Sequence, residues 1–256
     1  WVTEGGEAMN WTIIGEHLFI VCAASLLSIV VGLALGIVAY LLPFVRKFIL
    51  GVVDILQTIP ALALLGLIMV VAGAGKLTVV VGITLYSLLP IVRNTWLGLS
   101  EVAPGIKEAA TGCGMSKIQA LLKVELPLAL PTIFTGIRIA VVNAIGTAVF
   151  AAFVGGGGLG SILNRGIRIQ SLPLLLAGTG ALMLIALLLD GAMGIVEKRL
   201  AVSHGVLNKK VLVPGLALLG LFLVTLPLGF AGQTTARELV LYDGDYSETK
   251  LMHRMV

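Results

Sequence analysis

Charged side chains are scarce in this sequence. Asp, Glu, Lys and Arg make up 12% of its 256 residues, whereas 58% of the residues are hydrophobic. A soluble domain carries about 25% charged residues, so half of that fraction cannot cover a surface that faces water. The scarcity of charge excludes an ordinary soluble domain and indicates that most of the surface faces lipid.

Cysteine, histidine and clustered basic residues are also rare. The two cysteines, Cys22 and Cys113, lie in segments of different polarity and provide no disulfide framework. The three histidines, His17, His204 and His253, are far apart in the chain, so we predict no metal site. The net charge of +4 is scattered without a basic run, which argues against a nucleic-acid partner.

Long apolar segments, in contrast, are abundant. A transmembrane helix needs about 20 mostly apolar residues. Closed β-barrels also span membranes, but their strands alternate apolar and polar residues, and segments 26–42 and 174–189 do not alternate. We therefore predict an all-α membrane protein whose first span begins as an interfacial segment at Glu16 and His17. The six predicted spans are residues 11–42, 48–72, 76–98, 127–154, 172–198 and 209–231.

The positions of Lys and Arg predict how these spans are oriented, because short cytoplasmic loops carry an excess of both residues. Nine such cations follow the first, third and fifth spans, and two, Arg165 and Arg168, follow the fourth. The excess places those three connections in the cytoplasm and both termini outside, with residues 1–10 as an external segment. The nine cytoplasmic cations are Arg46, Lys47, Lys107, Lys117, Lys123, Lys198, Arg199, Lys209 and Lys210.

The longest polar connection, residues 100–126, lies on the predicted cytoplasmic side. Gly112 and Gly114 permit a sharp bend within it, and Pro127 stands where proline is tolerated, in the first turn of the next span. Glu108 should begin a helix there, because a carboxylate complements the positive end of the helix dipole. A helix–bend–helix on this face suits mechanical contact with another protein, and an ordinary amphipathic loop is the alternative.

This connection resembles the EAA loop of ABC importer permeases. The family pattern is Glu-Ala-Ala, three residues, Gly, nine residues and a small apolar residue shortly before Leu-Pro. The sequence has Glu108-Ala109-Ala110, Gly114, Val124 and Leu126-Pro127 at those spacings. The resemblance implies that the loop couples to a separate ATPase. The coupling residues it implies are Glu108, Ala109, Ala110, Gly114, Met115, Ser116 and Lys117.

The resemblance also implies a fold and a set of partners. The expected fold is that of a type I ABC importer permease, with a five-helix core in each of two identical subunits and residues 11–200 as the permease domain. Two copies of a cytoplasmic ATPase are expected to hold ATP and Mg²⁺ and to drive alternating access. The chain itself is then no enzyme and binds no cofactor. Its glycine-rich segments agree: residues 155–160 follow a transmembrane helix rather than a strand, and residues 73–76 lack the rest of a phosphate loop.

Three further segments narrow the family. Residues 56–63, 86–95 and 153–160 look like those of permeases for glycine betaine, carnitine and choline, and the whole resemblance covers roughly residues 15–200. It implies a prokaryotic inner-membrane protein that imports a quaternary-ammonium or betaine-like solute, ergothioneine being a related possibility. Aromatic side chains, which build cation–π cages for such solutes, are only 6% of the chain. We therefore expect selectivity to reside in a binding domain.

One branch of that family fuses its extracytoplasmic binding domain to the C-terminus of the permease, and the end of this sequence looks like that arrangement. Residues 201–232 are expected to form one additional transmembrane helix with its linker. The charged segment 233–256 is expected to begin the binding domain, which would be truncated here, with Tyr246, Ser247 and Glu248 near its ligand cleft.

Polar residues inside the spans are candidates for the translocation pathway. Pro60 removes a backbone donor and should break the second span, and the freed backbone groups need a wet cavity or protein partners. The predicted pathway residues are Gln57, Thr58, Pro60, Asn94 and Asn143.

A charge near mid-membrane costs about 2.5–3.5 kcal/mol, so Asp190 needs a partner. We predict a structural ion pair with Arg138 or Arg93, and direct contact with the pathway is the alternative. Gly32 and Gly36 form a small-xxx-small pair, which predicts close helix packing.

Two other functional classes compete with a permease. An ion-coupled secondary transporter of a small zwitterion also uses broken helices, but it leaves the EAA-like loop unexplained. An intramembrane enzyme needs a converging catalytic set, and the sequence has no paired motif for one.

Overall fold

The computed structural model of the protein describes residues 11–202, and every regular element in this range is helical. The α-helices of this range are α1 (Trp11–Leu41), α2 (Pro43–Thr58), α3 (Ala61–Ala72), α4 (Lys76–Tyr86), α5 (Leu88–Ser100), α6 (Pro104–Gly112), α7 (Lys117–Ala120), α8 (Leu126–Thr147), α9 (Gly160–Arg168) and α10 (Leu172–Val202). A π-helical turn (Leu121–Glu125) precedes α8, and a 3-10 helix (Ala148–Val154) follows it.

The described residues support the predicted all-α membrane fold. Four helical segments are long and apolar enough to cross a bilayer. They are Thr12–Leu41, Lys76–Ser100, Lys117–Val154 and Leu172–Val202. The pair α2 and α3 supplies a fifth span if it is counted as one span, bent by 101°. The predicted external segment 1–10, the sixth span 209–231 and the binding-domain segment 233–256, with Tyr246, Ser247 and Glu248, lie outside the described residues.

The predicted break at Pro60 is confirmed. Helix α2 ends at Thr58 and α3 begins at Ala61, and Pro60 between them has a ψ of 132°, outside the helical region. Beside the break, Gln57 Nε2 donates a hydrogen bond of 2.8 Å to the carbonyl of Tyr86, the last residue of α4. One amide therefore joins the break in the second span to the break between α4 and α5.

Helix α5 packs between α1 and α8, and glycines bring it close to both. A Cβ at Gly32 of α1 would lie 2.7 Å from Ile91 Cγ2, and a Cβ at Gly36 would lie 2.5 Å from Thr95 Cβ. Such distances are too short for two carbon atoms, so only glycine permits this approach. The close packing predicted for Gly32 and Gly36 is confirmed. On the other side of α5, a Cβ at Gly98 would lie 3.1 Å from the carbonyl oxygen of Ala129 in α8.

The beginning of α1 packs inside the protein, whereas the interfacial position of Glu16 and His17 stays a prediction. His17 is fully buried. The Glu16 carboxylate pairs with Lys76 Nζ at 3.0 Å and accepts a 3.4 Å hydrogen bond from the backbone N–H of Gly158. The extra length of α1 is therefore used to hold the glycine-rich loop after the 3-10 helix, and sequence hydropathy alone does not report such a contact.

Candidate functional site

The predicted coupling segment consists of two short helices joined by a sharp turn. Pro104 occupies the first turn of α6, where its missing N–H costs nothing. After α6 the backbone reverses at Gly114, whose φ of 78° favours glycine, and Met115 N donates to the carbonyl of Ala110 at 3.1 Å. The predicted helix–bend–helix is present.

A capping box sets the start of α7. Ser116 Oγ accepts a hydrogen bond of 3.3 Å from Gln119 N, and Gln119 Oε1 accepts one of 2.9 Å from Ser116 N. The two contacts satisfy backbone donors that a helix N-terminus leaves free. Ser116 therefore has a local structural role in addition to its place in the family pattern.

Most of the predicted coupling residues are exposed. Glu108, Ala109, Gly114, Ser116 and Lys117 lie at the surface, Met115 is half-buried and Ala110 is buried. Three apolar neighbours, Ile106, Ile118 and Leu122, are 40%, 69% and 56% exposed. Exposed apolar side chains among polar ones are typical of a protein-binding surface. We call the exposed side chains of Ile106, Glu108, Lys117, Ile118 and Leu122 the coupling face.

The expectation that Glu108 begins a helix is wrong. Helix α6 starts at Pro104, so Glu108 is its fifth residue and no acidic residue lies in the first turn. The start shifts because proline at the first helical position is already preorganised for the helix. Glu108 consequently presents its charge on the side of α6, where a partner protein can reach it.

Lys107, the residue before Glu108, makes a polar network that the sequence-based reasoning missed. Its Nζ donates to Tyr40 Oη at 3.0 Å and to the carbonyl of Leu99 at 3.1 Å, and lies 4.0 Å from Glu125 Oε2. Tyr40 Oη donates to the same Glu125 oxygen. The one signal in the sequence was the position of Glu125 directly before Leu126-Pro127 at the start of a predicted span; the burial of its carboxylate, which requires a partner, is seen only in the structure.

Arg138 rather than Arg93 is the partner of Asp190. Its Nε and Nη2 donate to the two Asp190 oxygens at 2.7 and 2.8 Å, and its Nη1 donates to Glu197 Oε2 at 2.6 Å. Gly194 leaves room for the guanidinium, since a Cβ there would lie 3.2 Å from Arg138 Cζ. The predicted alternative with Arg93 is wrong, because that side chain reaches Asp54 on α2 at 2.7 Å. Glu197 was missed because it was assigned to the cytoplasmic end of its span.

An open cleft of about 320 Å³ lies over this ion cluster. Its lining comprises Thr135, Arg138, Ile139, Val142, Asn143, Asp190 and Glu197. Side chains that are this polar are expensive against lipid. The cleft therefore belongs on a side of the subunit that faces water or protein.

The other predicted pathway residues lie apart from that cleft. Gln57, Thr58 and Pro60 are at the break between α2 and α3, where Thr58 Oγ1 bonds the carbonyl of Ile55 at 2.7 Å. Asn94 bonds its own helix through the carbonyl of Pro90 at 2.7 Å. Of the five residues, the structure brings only Asn143 to the cleft.

Known permeases resemble this chain over most of their length. The glycine betaine/carnitine/choline transport system permease protein OpuCB of Bacillus subtilis is 35% identical over 197 residues, which are 77% of this chain and 90% of the relative. The osmoprotectant import permease protein OsmW of Salmonella typhimurium is 43% identical over 180 residues, 68% of this chain and 84% of the relative.

A solved structure shows the fold. A chain of the inward-facing MetNI methionine ABC transporter superposes with a TM-score of 0.68 at 23% identity, covering 76% of this chain and 99% of that chain. The fold is therefore that of a type I ABC importer permease, and the protein crosses the membrane several times.

Residues 24–202 match the family described as the binding-protein-dependent transport system inner membrane component. The chain belongs to that family of inner-membrane transport components.

Proposed function

We propose that this chain is the permease subunit of an ATP-driven importer for a quaternary-ammonium or betaine-like solute. The observation that carries the proposal is the exposed helix–bend–helix of α6 and α7, with Gly114 at the bend. It lies inside the part of the chain that matches the family. The named relatives transport glycine betaine, carnitine, choline or osmoprotectants, and this supports the class of solute.

The partner at the coupling face is a separate ATPase. Ile118 and Leu122 supply apolar area, and Glu108 and Lys117 flank it with charges of both signs. Interfaces of this kind combine an apolar centre with a polar rim. ATP and Mg²⁺ belong to the partner, and one ATPase on each of two permease copies is the stoichiometry that we propose.

The cleft over Arg138 lies on the water-filled or protein-facing side of each permease copy. The same face of α8 carries Thr135 and Asn143, whereas α10 presents a mainly apolar face that includes Leu184 and Leu187. The apolar face of α10 suits lipid. The cleft, together with the break at Pro60, then marks the side on which the two copies enclose the pathway.

The C-terminal segment remains a prediction within this function. Residues 201–232 are proposed to return the chain to the outside, and residues 233–256 to begin a binding domain for the solute. Mass spectrometry of the protein isolated from its own organism tests the fusion. A mass well above 26.7 kDa is expected, and a mass equal to it contradicts the fusion without affecting the permease assignment.

Copurification and transport test the proposed function directly. The permease and its ATPase partner are expected to copurify from detergent extract and, in proteoliposomes, to take up radiolabelled choline or glycine betaine only when ATP is supplied. Uptake driven by an ion gradient without ATP would instead identify an ion-coupled secondary transporter. Absence of any stable ATPase complex would remove the coupling face from the mechanism.

A further inference from the structure

We propose that Lys107, Tyr40 and Glu125 form a joint that transmits ATPase movement from the coupling face to the transmembrane helices. We call these three side chains, with the carbonyl of Leu99, the anchor network. The proposal rests on the proposed function, because it assigns positioning residues to that transport cycle. None of the four residues belongs to the coupling face.

The anchor network joins four elements at one point. Lys107 lies on α6, Tyr40 at the end of α1, Leu99 near the end of α5, and Glu125 at the end of the π-helical turn before α8. The Lys107 ammonium reaches Tyr40 Oη at 3.0 Å and the Leu99 carbonyl at 3.1 Å. A displacement of α6 therefore acts on three spans together.

The contacts are of a kind that resists displacement. Glu125 is 8% exposed, and its carboxylate accepts from Tyr40 while the Lys107 ammonium lies 4.0 Å away. The ammonium also lies 5.1 Å from the centre of the Tyr40 ring, within cation–π range. Hydrogen bonds to charged groups in a poorly hydrated setting are stronger than neutral surface contacts. Withdrawal of Lys107 would leave the buried Glu125 carboxylate without its neighbouring cation and would break the two hydrogen bonds to Tyr40 and Leu99, which opposes independent movement of α6.

The position of Glu125 in the π-helical turn also supports a role in transmitting movement. An i to i+5 turn inserts one extra residue in a helical path, and such turns often occur at functional sites. Here the turn joins α7, which carries part of the coupling face, to α8, which carries Arg138 and Asn143 of the cleft. Glu125 therefore connects the network to both the ATPase side and the cleft side of one continuous helical segment.

Two other lysines of the same segment lie outside the anchor network. Lys117 and Lys123 are exposed, whereas Lys107 is half-buried with 29% of its side chain accessible. Lys123 lies within the same π-helical turn as Glu125. It is the matched position at which a lysine can be removed without touching the anchor network.

The experiment compares Tyr40→Phe, Glu125→Gln and Lys107→Met with Lys123→Met as the control. Each variant is reconstituted with the ATPase, and uptake of radiolabelled choline is measured per ATP hydrolysed. Tyr40→Phe removes one oxygen atom only, so it tests the network without a change of packing volume. We expect all three network variants to bind the ATPase and to hydrolyse ATP. The number of solute molecules moved per ATP should fall at least about five-fold, which is the low end of the coupling typical between two sites of one protein.

A spin label supplies a second measurement that does not depend on the solute. Cys113 is exposed at the end of α6 and Cys22 is buried, so a label reacts at Cys113. The label is expected to become more mobile in the three network variants and to remain unchanged in Lys123→Met.

Two results would overturn the proposal: wild-type coupling and label mobility in the network variants, or loss of ATPase binding, which would mean that the network only shapes the docking surface. A wild-type complex without ATP-driven uptake would count against the proposed function instead, while the label would still report on the network.

Discussion

Asn94 on α5 and Gly136 on α8 face each other where these two helices cross, and a Cβ at residue 136 would lie 2.6 Å from Asn94 Cβ. The same Cβ would lie 2.5 Å from the backbone oxygen of Pro90, the group that accepts the Asn94 side-chain hydrogen bond. The crossing is therefore held at a distance that only glycine permits. Asn94, a predicted pathway residue, takes part in this packing.

Gly136→Ala is expected to destabilise the protein despite the better helix propensity of alanine. The added methyl group meets backbone as well as side chain, and overpacking of this kind costs about 1–3 kcal/mol. Gly146→Ala on the same helix is the control, because a Cβ there meets nothing within 4 Å. Thermal unfolding in detergent compares the two. Equal melting temperatures would contradict the close crossing.

Arg138→Gln is expected to destabilise the fold far more than Arg93→Gln. The first change leaves the carboxylates of Asp190 and Glu197, which are 39% and 20% accessible, side by side without the cation that both contact, and removal of one partner from a partly buried pair is destabilising. The Arg93–Asp54 pair is more exposed, with side chains 55% and 43% accessible, and such pairs contribute about 1 kcal/mol or less. Expression and thermal unfolding are the measurements.

The double variant Arg138→Gln/Asp190→Asn separates a structural ion pair from a direct role in transport. It removes one of the two unpaired carboxylates, so part of the stability lost in Arg138→Gln is expected to return. Recovery of stability without recovery of uptake would assign the pair to the pathway. Recovery of both would leave the pair a structural role.

Asn143→Cys is expected to react with a charged, membrane-impermeant thiol reagent. The cleft that Asn143 lines holds four side chains that are expensive in lipid, among them Arg138 and Asp190, so water should reach it. Leu187→Cys on the exposed apolar face of α10 is the matched control and should react slowly. Both are made after Cys113 is replaced by Ser. Equal rates at the two positions would mean that the cleft does not face a water-filled pathway.

Gly114→Asp is expected to abolish uptake while the protein still inserts in the membrane and the solute still binds. At a φ of 78° a side chain is strained, and the new carboxylate lies between α6 and α7 beside the coupling face. Gly105→Asp places the same side chain in open space in the first turn of α6, where a carboxylate is favourable. Normal uptake by Gly114→Asp at normal expression would remove this bend from the coupling mechanism.

The predicted topology is tested by thiol labelling from each side of the membrane. Cys113 is exposed in the coupling segment and should react only from the cytoplasm. Gln233→Cys, made with Cys113 replaced by Ser, should react only from outside. Reaction of both residues from one side would show that the number of spans between them is even, whereas we predict three.

The four long spans of residues 11–202 and the break at Pro60 were predictable because they depend on short-range properties. The free energy of transferring an apolar run into lipid depends only on the residues of that run. Proline lacks a backbone N–H donor in any fold. The bend at Gly114 was predictable for the same reason, since a glycine between two helix-forming segments permits a conformation that other residues avoid.

The sequence by itself therefore determined that the chain is helical, spans a membrane and carries a family-specific loop. Only the tertiary structure decided which charges meet. Asp190 is 52 positions from Arg138 and Tyr40 is 85 positions from Glu125, and the choice of Arg138 over Arg93 depends on the α8–α10 contact. Close packing at glycines such as Gly194, which lies against the Arg138 guanidinium, sets these contacts, because a shift of one turn would carry each charge to a different neighbour.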